Sequence, residues 1–254
     1  MSYRTISEHG FRSKYYPKRM FRFKQFNVDQ TGCAMKINTD GVLLGAMVTA
    51  NNPQNILDIG TGTGVIAMML AQRFTSTNID AVEIDEQAAS TANANFQNSP
   101  FQSRLTLYPG SFEHFFDQHP QIKYDLIVSN PPFYINSLQS PTIKINLAKH
   151  AAEGFFEKLI ASIVNRLTEH GLCWLILPVD TSELIKGIAK QHGLHLQKII
   201  NVHSFQKDNP HREIVVFGRN AEASVQIDQF NIYEDVNIYS AAYRQLLKPY
   251  FLAF

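Results

Sequence analysis

The chain has 254 residues, 44% hydrophobic and 18% charged, with a formal net charge of +1. That composition suits one generous globular domain and excludes a disordered or fibrous chain. No apolar stretch approaches the roughly 20 residues of a membrane-spanning helix, and Met1-Ser2-Tyr3-Arg4 leads into no hydrophobic run, so neither a span nor a secretory leader is expected. Cys33 and Cys173 are the only cysteines and the nine histidines are scattered, which points to reduced thiols, a cytoplasmic setting and no metal site.

The small net charge hides an asymmetry. Residues 1–24 carry a net charge of +6 and the remaining 230 a net of −5. The basic groups, Arg19 and Arg22 among them, interleave with Phe11, Tyr15, Tyr16, Phe21 and Phe23. Lys and Arg neutralise phosphates and aromatic rings stack on unpaired bases, so residues 1–20 read as a basic aromatic arm for a nucleic acid, or else as a solubilising tail. Residues 21–254 read as a single domain. The alternation from Phe21 to Val28 predicts a strand, and Asp29-Gln30-Thr31-Gly32 a turn. Thr39-Asp40 then looks like the cap of a helix through Gly41–Ala50.

From there the pattern is regular. Apolar runs at Ile56–Ile59, Ile79–Val82, Leu105–Leu107, Leu126–Val128 and Leu172–Leu177 alternate with helical stretches near 64–74, 86–97, 154–169 and 181–192. Strands that are apolar throughout belong to a sheet buried on both faces, so an α/β fold with a mostly parallel sheet and helices on both faces is expected. His195–His203 and Glu213–Gly218 read as an antiparallel C-terminal strand pair. A last helix near 238–248 precedes Tyr250-Phe251-Leu252-Ala253-Phe254, a tail apolar enough to dock on the body.

Four segments carry chemistry. In Ile56-Leu57-Asp58-Ile59-Gly60-Thr61-Gly62-Thr63-Gly64, alternate glycines let the backbone turn sharply and pass close to a ligand at a helix N-terminus. The spacing is not that of a dinucleotide fold, because Val65 stands where a third glycine belongs. It resembles instead the first motif of Rossmann-like class I methyltransferases, with Asp58, Gly60, Thr61, Gly62 and Gly64 as cofactor-binding candidates. Glu83, at the end of the next strand, can accept hydrogen bonds from two ribose hydroxyls; with Ile84 it forms the second candidate set, while Asp85 opens a helix. Ser111 and Phe112 follow the third strand, where this fold flanks the cofactor adenine, although Phe112 reads equally well as core.

The fourth segment, Asn130-Pro131-Pro132-Phe133-Tyr134, leaves the strand Asp125–Ser129. Two prolines fix the backbone and leave carbonyls as acceptors. An amino group conjugated to a ring or carbonyl is a poor nucleophile. The Asn130 side-chain oxygen and the Pro131 carbonyl can each accept one of its hydrogens, aligning the nitrogen and stabilising its developing charge. Phe133 can stack on a planar base.

Asn-Pro-Pro-Phe resembles the signature of amino-nitrogen methyltransferases acting on adenine, guanine or glutamine. The run Phe21-Arg22-Phe23-Lys24-Gln25-Phe26, the segment Cys33–Ala46 with Lys36-x-x-Thr39-Asp40-Gly41, and the tail Tyr239–Phe254 are similar to the bacterial tRNA1(Val) adenine-37 N6-methyltransferase family. The resemblance implies S-adenosylmethionine as cofactor, Lys36, Thr39 and Asp40 in its pocket, and a tRNA adenine beside the anticodon as target. Lys149, His150 and Arg212 are candidate RNA contacts, or ordinary solvated residues. The rivals are a protein glutamine N5-methyltransferase, a methyltransferase of another RNA or DNA base amino group, and a non-catalytic RNA-binding module. No obligate protein partner is implied.

Overall fold

The computed structural model describes residues 20–132 and 143–254, the second stretch with side chains from Glu153 onward. The chain opens with a hairpin, β1 (Met20–Arg22) and β2 (Asn27–Asp29), and then forms α1 (Thr39–Met47). Alternating units follow: β3 (Asn55–Ile59), α2 (Val65–Arg73), β4 (Asn78–Glu83), α3 (Glu86–Gln97), β5 (Leu105–Pro109), α4 (Phe112–Gln118) and β6 (Tyr124–Ser129). The second half comprises α5 (Ile143–Arg166), β7 (Leu167–Leu177), α6 (Val179–Gln191), β8 (His195–His203), β9 (Arg212–Gly218), β10 (Gln226–Asn231), the short pair β11 (Tyr233–Asp235) and β12 (Ile238–Tyr239), and α7 (Ala241–Leu247).

Eight strands form one sheet in the order β10-β8-β9-β7-β6-β3-β4-β5. Strands β3 to β7 run parallel, and β9 is antiparallel to both β7 and β8. The chain moves outward from β3 through β4 to β5 and then returns to place β6 on the other side of β3. Ligands bind at such a reversal, beyond the C-terminal strand ends. The core lies in two layers. One packs α1, α2, the N-terminal hairpin and the C-terminal tail on one face; the other packs α4, α5 and α6 on the opposite face. No helix among the described residues is long and apolar enough to cross a membrane.

The N-terminal hairpin is clasped to the C-terminal tail. Phe23 bridges to Phe251, and Lys24 reaches the carbonyls of Lys248 and Phe254 at 2.6 and 2.7 Å. Phe23 stacks on Phe26 at 4.4 Å, and Tyr250 is buried. The apolar tail therefore docks as expected.

Several boundaries differ from the sequence reading. The strand expected from Phe21 to Val28 is two short strands joined by a turn, closed by Phe23 N–H donating to Phe26 O at 2.9 Å. The helix expected after Thr39-Asp40 begins at Thr39, because the Asn38 side chain caps it by accepting from Gly41 N at 2.9 Å. The helix expected over 154–169 runs over Ile143–Arg166 and passes straight into β7. The final helix is shorter than 238–248, because Ile238–Tyr239 pair with β11 and Ser240 caps α7.

Candidate cofactor and base site

The glycine loop joins β3 to α2, and Gly60, Gly62 and Gly64 hold φ of 72°, 57° and 82°. These are left-handed values that a side chain tolerates poorly. The three glycines serve different purposes. Among the described residues, a Cβ on Gly60 or Gly62 would meet nothing within 4 Å, so both face open space there, whereas one on Gly64 would come within 2.5 Å of the Phe96 ring. Gly64 lets α3 pack; Gly60 and Gly62 form a bare floor. Gly60 N–H and Thr61 N–H donate to Val82 O at 2.8 and 3.1 Å, which ties the loop to β4.

Asp58 lies beneath this floor, fully buried, and accepts from the Thr61 hydroxyl at 2.6 Å. Burial pushes its carboxyl up to about 7, against the opposing pull of the Thr61 hydroxyl and the Ala67 backbone. Glu83 is buried at the end of β4; one carboxylate oxygen accepts Gly62 N–H at 2.8 Å and the other Asp85 N–H at 2.9 Å. Ile84 is 71% exposed. A carboxylate for hydroxyls and an aliphatic face for a flat ring thus stand side by side. Asp85 caps α3 through Ala88 N–H at 2.7 Å, as its position suggested. Ser111 caps α4 by accepting from His114 N–H at 3.2 Å, and the Phe112 ring goes to the core against Phe116 and Phe155.

β6 brings up the fourth segment. The Ser129 hydroxyl donates to Ile59 O at 2.7 Å, locking the end of β6 to the end of β3. Asn130 follows, and its side-chain Oδ1 is buried without a hydrogen-bond partner among the described residues. Pro131 is buried and Pro132 half-buried. A buried acceptor left unpaired costs about 1–3 kcal/mol, so this oxygen is suited to a donor that arrives with a ligand. Because Ile59 is in register with both Val82 and Ser129, and Glu83 with Pro109, the glycine loop, Glu83, Ser111 and Asn130 all lie along one edge.

The first turn of α1 borders this edge. A Cβ on Gly41 would stand 3.7 Å from Asn130 Nδ2. Lys36 and Thr39 are exposed nearby in the chain, and Asp40 is paired with Arg212, whose Nε donates at 2.8 Å. Of the two readings given to Arg212, the ordinary solvated residue does not describe this ion-paired, partly buried side chain. Arg22 is exposed at the end of β1. Arg19, Phe133, Tyr134 and the side chains of Lys149 and His150 lie outside the described residues.

Sequence reading missed Asn95. This buried asparagine accepts Asp29 N–H at 2.8 Å and donates to Asp29 O and Thr63 O, both at 2.9 Å, riveting the hairpin and the glycine loop to α3. The signal was there: Asn95 shares the helix face of Ala88 and Ala92, where a polar side chain needs a partner.

Residues 33–177 match the family described as methyltransferase small domain. A protein of Pedobacter heparinus is 47% identical over 237 residues, covering 93% of this chain and 100% of its own length. One of Flavobacterium psychrophilum is 42% identical over 92% of this chain and 99% of its own length. Both are named tRNA1(Val) (adenine(37)-N6)-methyltransferase. Among solved structures, a protein of Agrobacterium tumefaciens described as a predicted O-methyltransferase superposes with a TM-score of 0.63 at 16% identity, covering 83% of this chain and 96% of its own. SMU.776, solved in complex with SAH, gives a TM-score of 0.58 at 13% identity, over 80% of this chain and 56% of its own. The chain belongs to the tRNA1(Val) (adenine(37)-N6)-methyltransferase family and is an S-adenosylmethionine-dependent methyltransferase.

Proposed function

We propose that this protein transfers the methyl group of S-adenosylmethionine to the N6 amino group of the adenine at position 37 of a tRNA, in a bacterial cytoplasm. The observation that carries the chemistry is Asn130 Oδ1, a buried acceptor at the end of β6 without a partner among the described residues. Its neighbour across the edge is a glycine floor with open space above it, so the residues present fit the cofactor.

S-adenosylmethionine, when bound, supplies an electrophilic methyl on a sulfonium sulfur. The chain's residues hold and orient the reactants. Gly60 and Gly62 allow the backbone to approach the ligand, and Glu83, already fixed by two backbone N–H groups, keeps lone pairs for ribose hydroxyls. Ile84 and the loop at Ser111 flank the base of the cofactor. Lys36, Thr39 and Asp40 complete the pocket around the first turn of α1. Asn130 Oδ1 and the Pro131 carbonyl each accept one amino hydrogen of the adenine. The amino nitrogen is thereby aligned, and the positive charge that develops on it meets two fixed dipoles. No strong general base is required, because the nitrogen becomes acidic as it is alkylated. Phe133 and Tyr134 supply rings against the target base, and Lys149, His150, Arg22 and the basic arm, Arg19 included, meet the RNA backbone.

The test is methyl transfer from labelled S-adenosylmethionine to total tRNA, followed by nuclease digestion and identification of the nucleoside. N6-methyladenosine at position 37 is the expected product. Label confined to protein would instead support glutamine methylation, and absence of S-adenosylmethionine binding by calorimetry would support a non-catalytic RNA-binding module.

A further inference from the structure

We propose that Arg212 is a positioning residue for methyl transfer: through Asp40 it holds the first turn of α1 against the Asn130 amide. This rests on the role given to Asn130 above. Arg212 opens β9, which is separated from β6 by β7. Two strand spacings put its backbone about 10 Å from Asn130, so its influence runs through an intermediate element.

The geometry supplies that element. Arg212 Nε donates to Asp40 Oδ2 at 2.8 Å, with side chains only 27% and 13% exposed, so the pair is screened less than a surface ion pair. Asp40 is in the first turn of α1, and the next residue, Gly41, lies against Asn130 and Ile66, each 3.7 Å from where its Cβ would be. The other end of α1 is held the same way, by Arg73 Nη1 donating to Ala46 O at 2.6 Å. α1 is thus clamped between two guanidinium groups, one at its first turn and one near its last.

β9 is itself anchored at this point. Glu213 projects to the opposite face of the sheet, where it accepts from the Ser182 hydroxyl at 2.6 Å and pairs with Lys186 at 2.7 Å. The strand start therefore holds α1 on one face and α6 on the other. Arg212 is fixed in place and imposes its position on α1.

The experiment compares the full-length wild type with Arg212→Ala, Arg212→Lys and Asp40→Asn. Steady-state methylation of tRNA and the NMR resonance of the Asn130 side-chain amide are both followed. In Arg212→Ala, kcat is expected to fall on the order of 10- to 100-fold with KM for tRNA changed less than about twofold, the signature of misplacement. Arg212→Lys recovers a large part of the rate, and the Asn130 resonance moves in Arg212→Ala and Asp40→Asn and returns in Arg212→Lys. A raised KM for tRNA at unchanged kcat would make Arg212 a direct RNA contact and overturn the proposal. An unmoved Asn130 resonance would overturn it too, whatever the methyl acceptor proves to be. If tRNA accepts no methyl from the wild type, the functional reading fails while the resonance still decides the positioning.

Discussion

Glu83 and Gly62 are joined by a 2.8 Å hydrogen bond, so the acid proposed to hold the cofactor's ribose also shapes the loop beside it. Each carboxylate oxygen already accepts one backbone N–H, from Gly62 and from Asp85. Glu83→Gln has only one acceptor oxygen and must leave one of those donors unpaired. It is expected to destabilise the ligand-free protein by about 1–3 kcal/mol and to weaken S-adenosylmethionine. Thermal melts and calorimetry measure both, and an unchanged dissociation constant removes Glu83 from the site.

Asn130→Ala should separate binding from chemistry. In the proposed role its oxygen acts on the amino group as positive charge develops, so kcat is expected to fall about 10²- to 10³-fold, as for loss of one preorganised dipole. S-adenosylmethionine affinity should stay within a few-fold. Equal losses in both would contradict the assigned role.

Asp58 gives the ligand-free protein a pH dependence. Its carboxyl titrates at about 7 in the folded state and at about 4 in an unfolded chain. The folded form retains the proton over that interval, so this contribution is full below about pH 4 and is lost as pH rises to about 7. The loss reaches about 1.4 kcal/mol per pH unit at its steepest. Asp58→Asn, which cannot ionise, should flatten the denaturant-derived stability curve across this window; a slope that persists would assign it to other groups.

Asn95→Ala tests whether the N-terminal hairpin supports the cofactor loop. It frees Thr63 O and both backbone groups of Asp29 at once, and a fall in stability of more than 2 kcal/mol is expected, together with weaker cofactor binding. Ser240→Ala, which removes the cap of α7 and is assigned no part in the cofactor pocket, is the control, costing only the ~1 kcal/mol of a helix cap. If the two variants behave alike, Asn95 is no more than a local tether.

Deleting residues 1–19 is expected to weaken tRNA binding and reduce its salt dependence, since it removes five basic groups, Arg4, Arg12, Lys14, Lys18 and Arg19, against the single acid Glu8. Filter binding at several salt concentrations reads both. An unchanged slope makes the arm a tail.

Much of this fold was legible because β3, β4 and β6 are buried on both faces and mostly apolar, and each is followed by a turn residue with a specific task. The elements that escaped lack that pattern. β10 reads Gln-Ile-Asp-Gln-Phe-Asn, an exposed edge strand held partly by the Lys198–Asp228 pair, and it carries no continuous apolar signal. α4 is seven residues with three phenylalanines, too short for a clear period. At the site, Gly60–Gly64, Glu83 and Asn130 were visible because their chemistry is local in sequence. The Arg212–Asp40 pair spans 172 positions and Asn95 reaches 66 positions back to Asp29, and such partnerships exist only once the strands are ordered.

The clasp between Lys24 and the tail spans 230 positions. A ribosome adding about 5–20 residues per second takes roughly 10–50 s to cover that distance. Through that interval the N-terminal hairpin, which steadies the cofactor loop by way of Asn95, lacks the surface it closes on. The cofactor pocket is thus a late product of synthesis: a chain that stops short of Tyr250 carries every motif for methyl transfer and leaves its first strand unfastened.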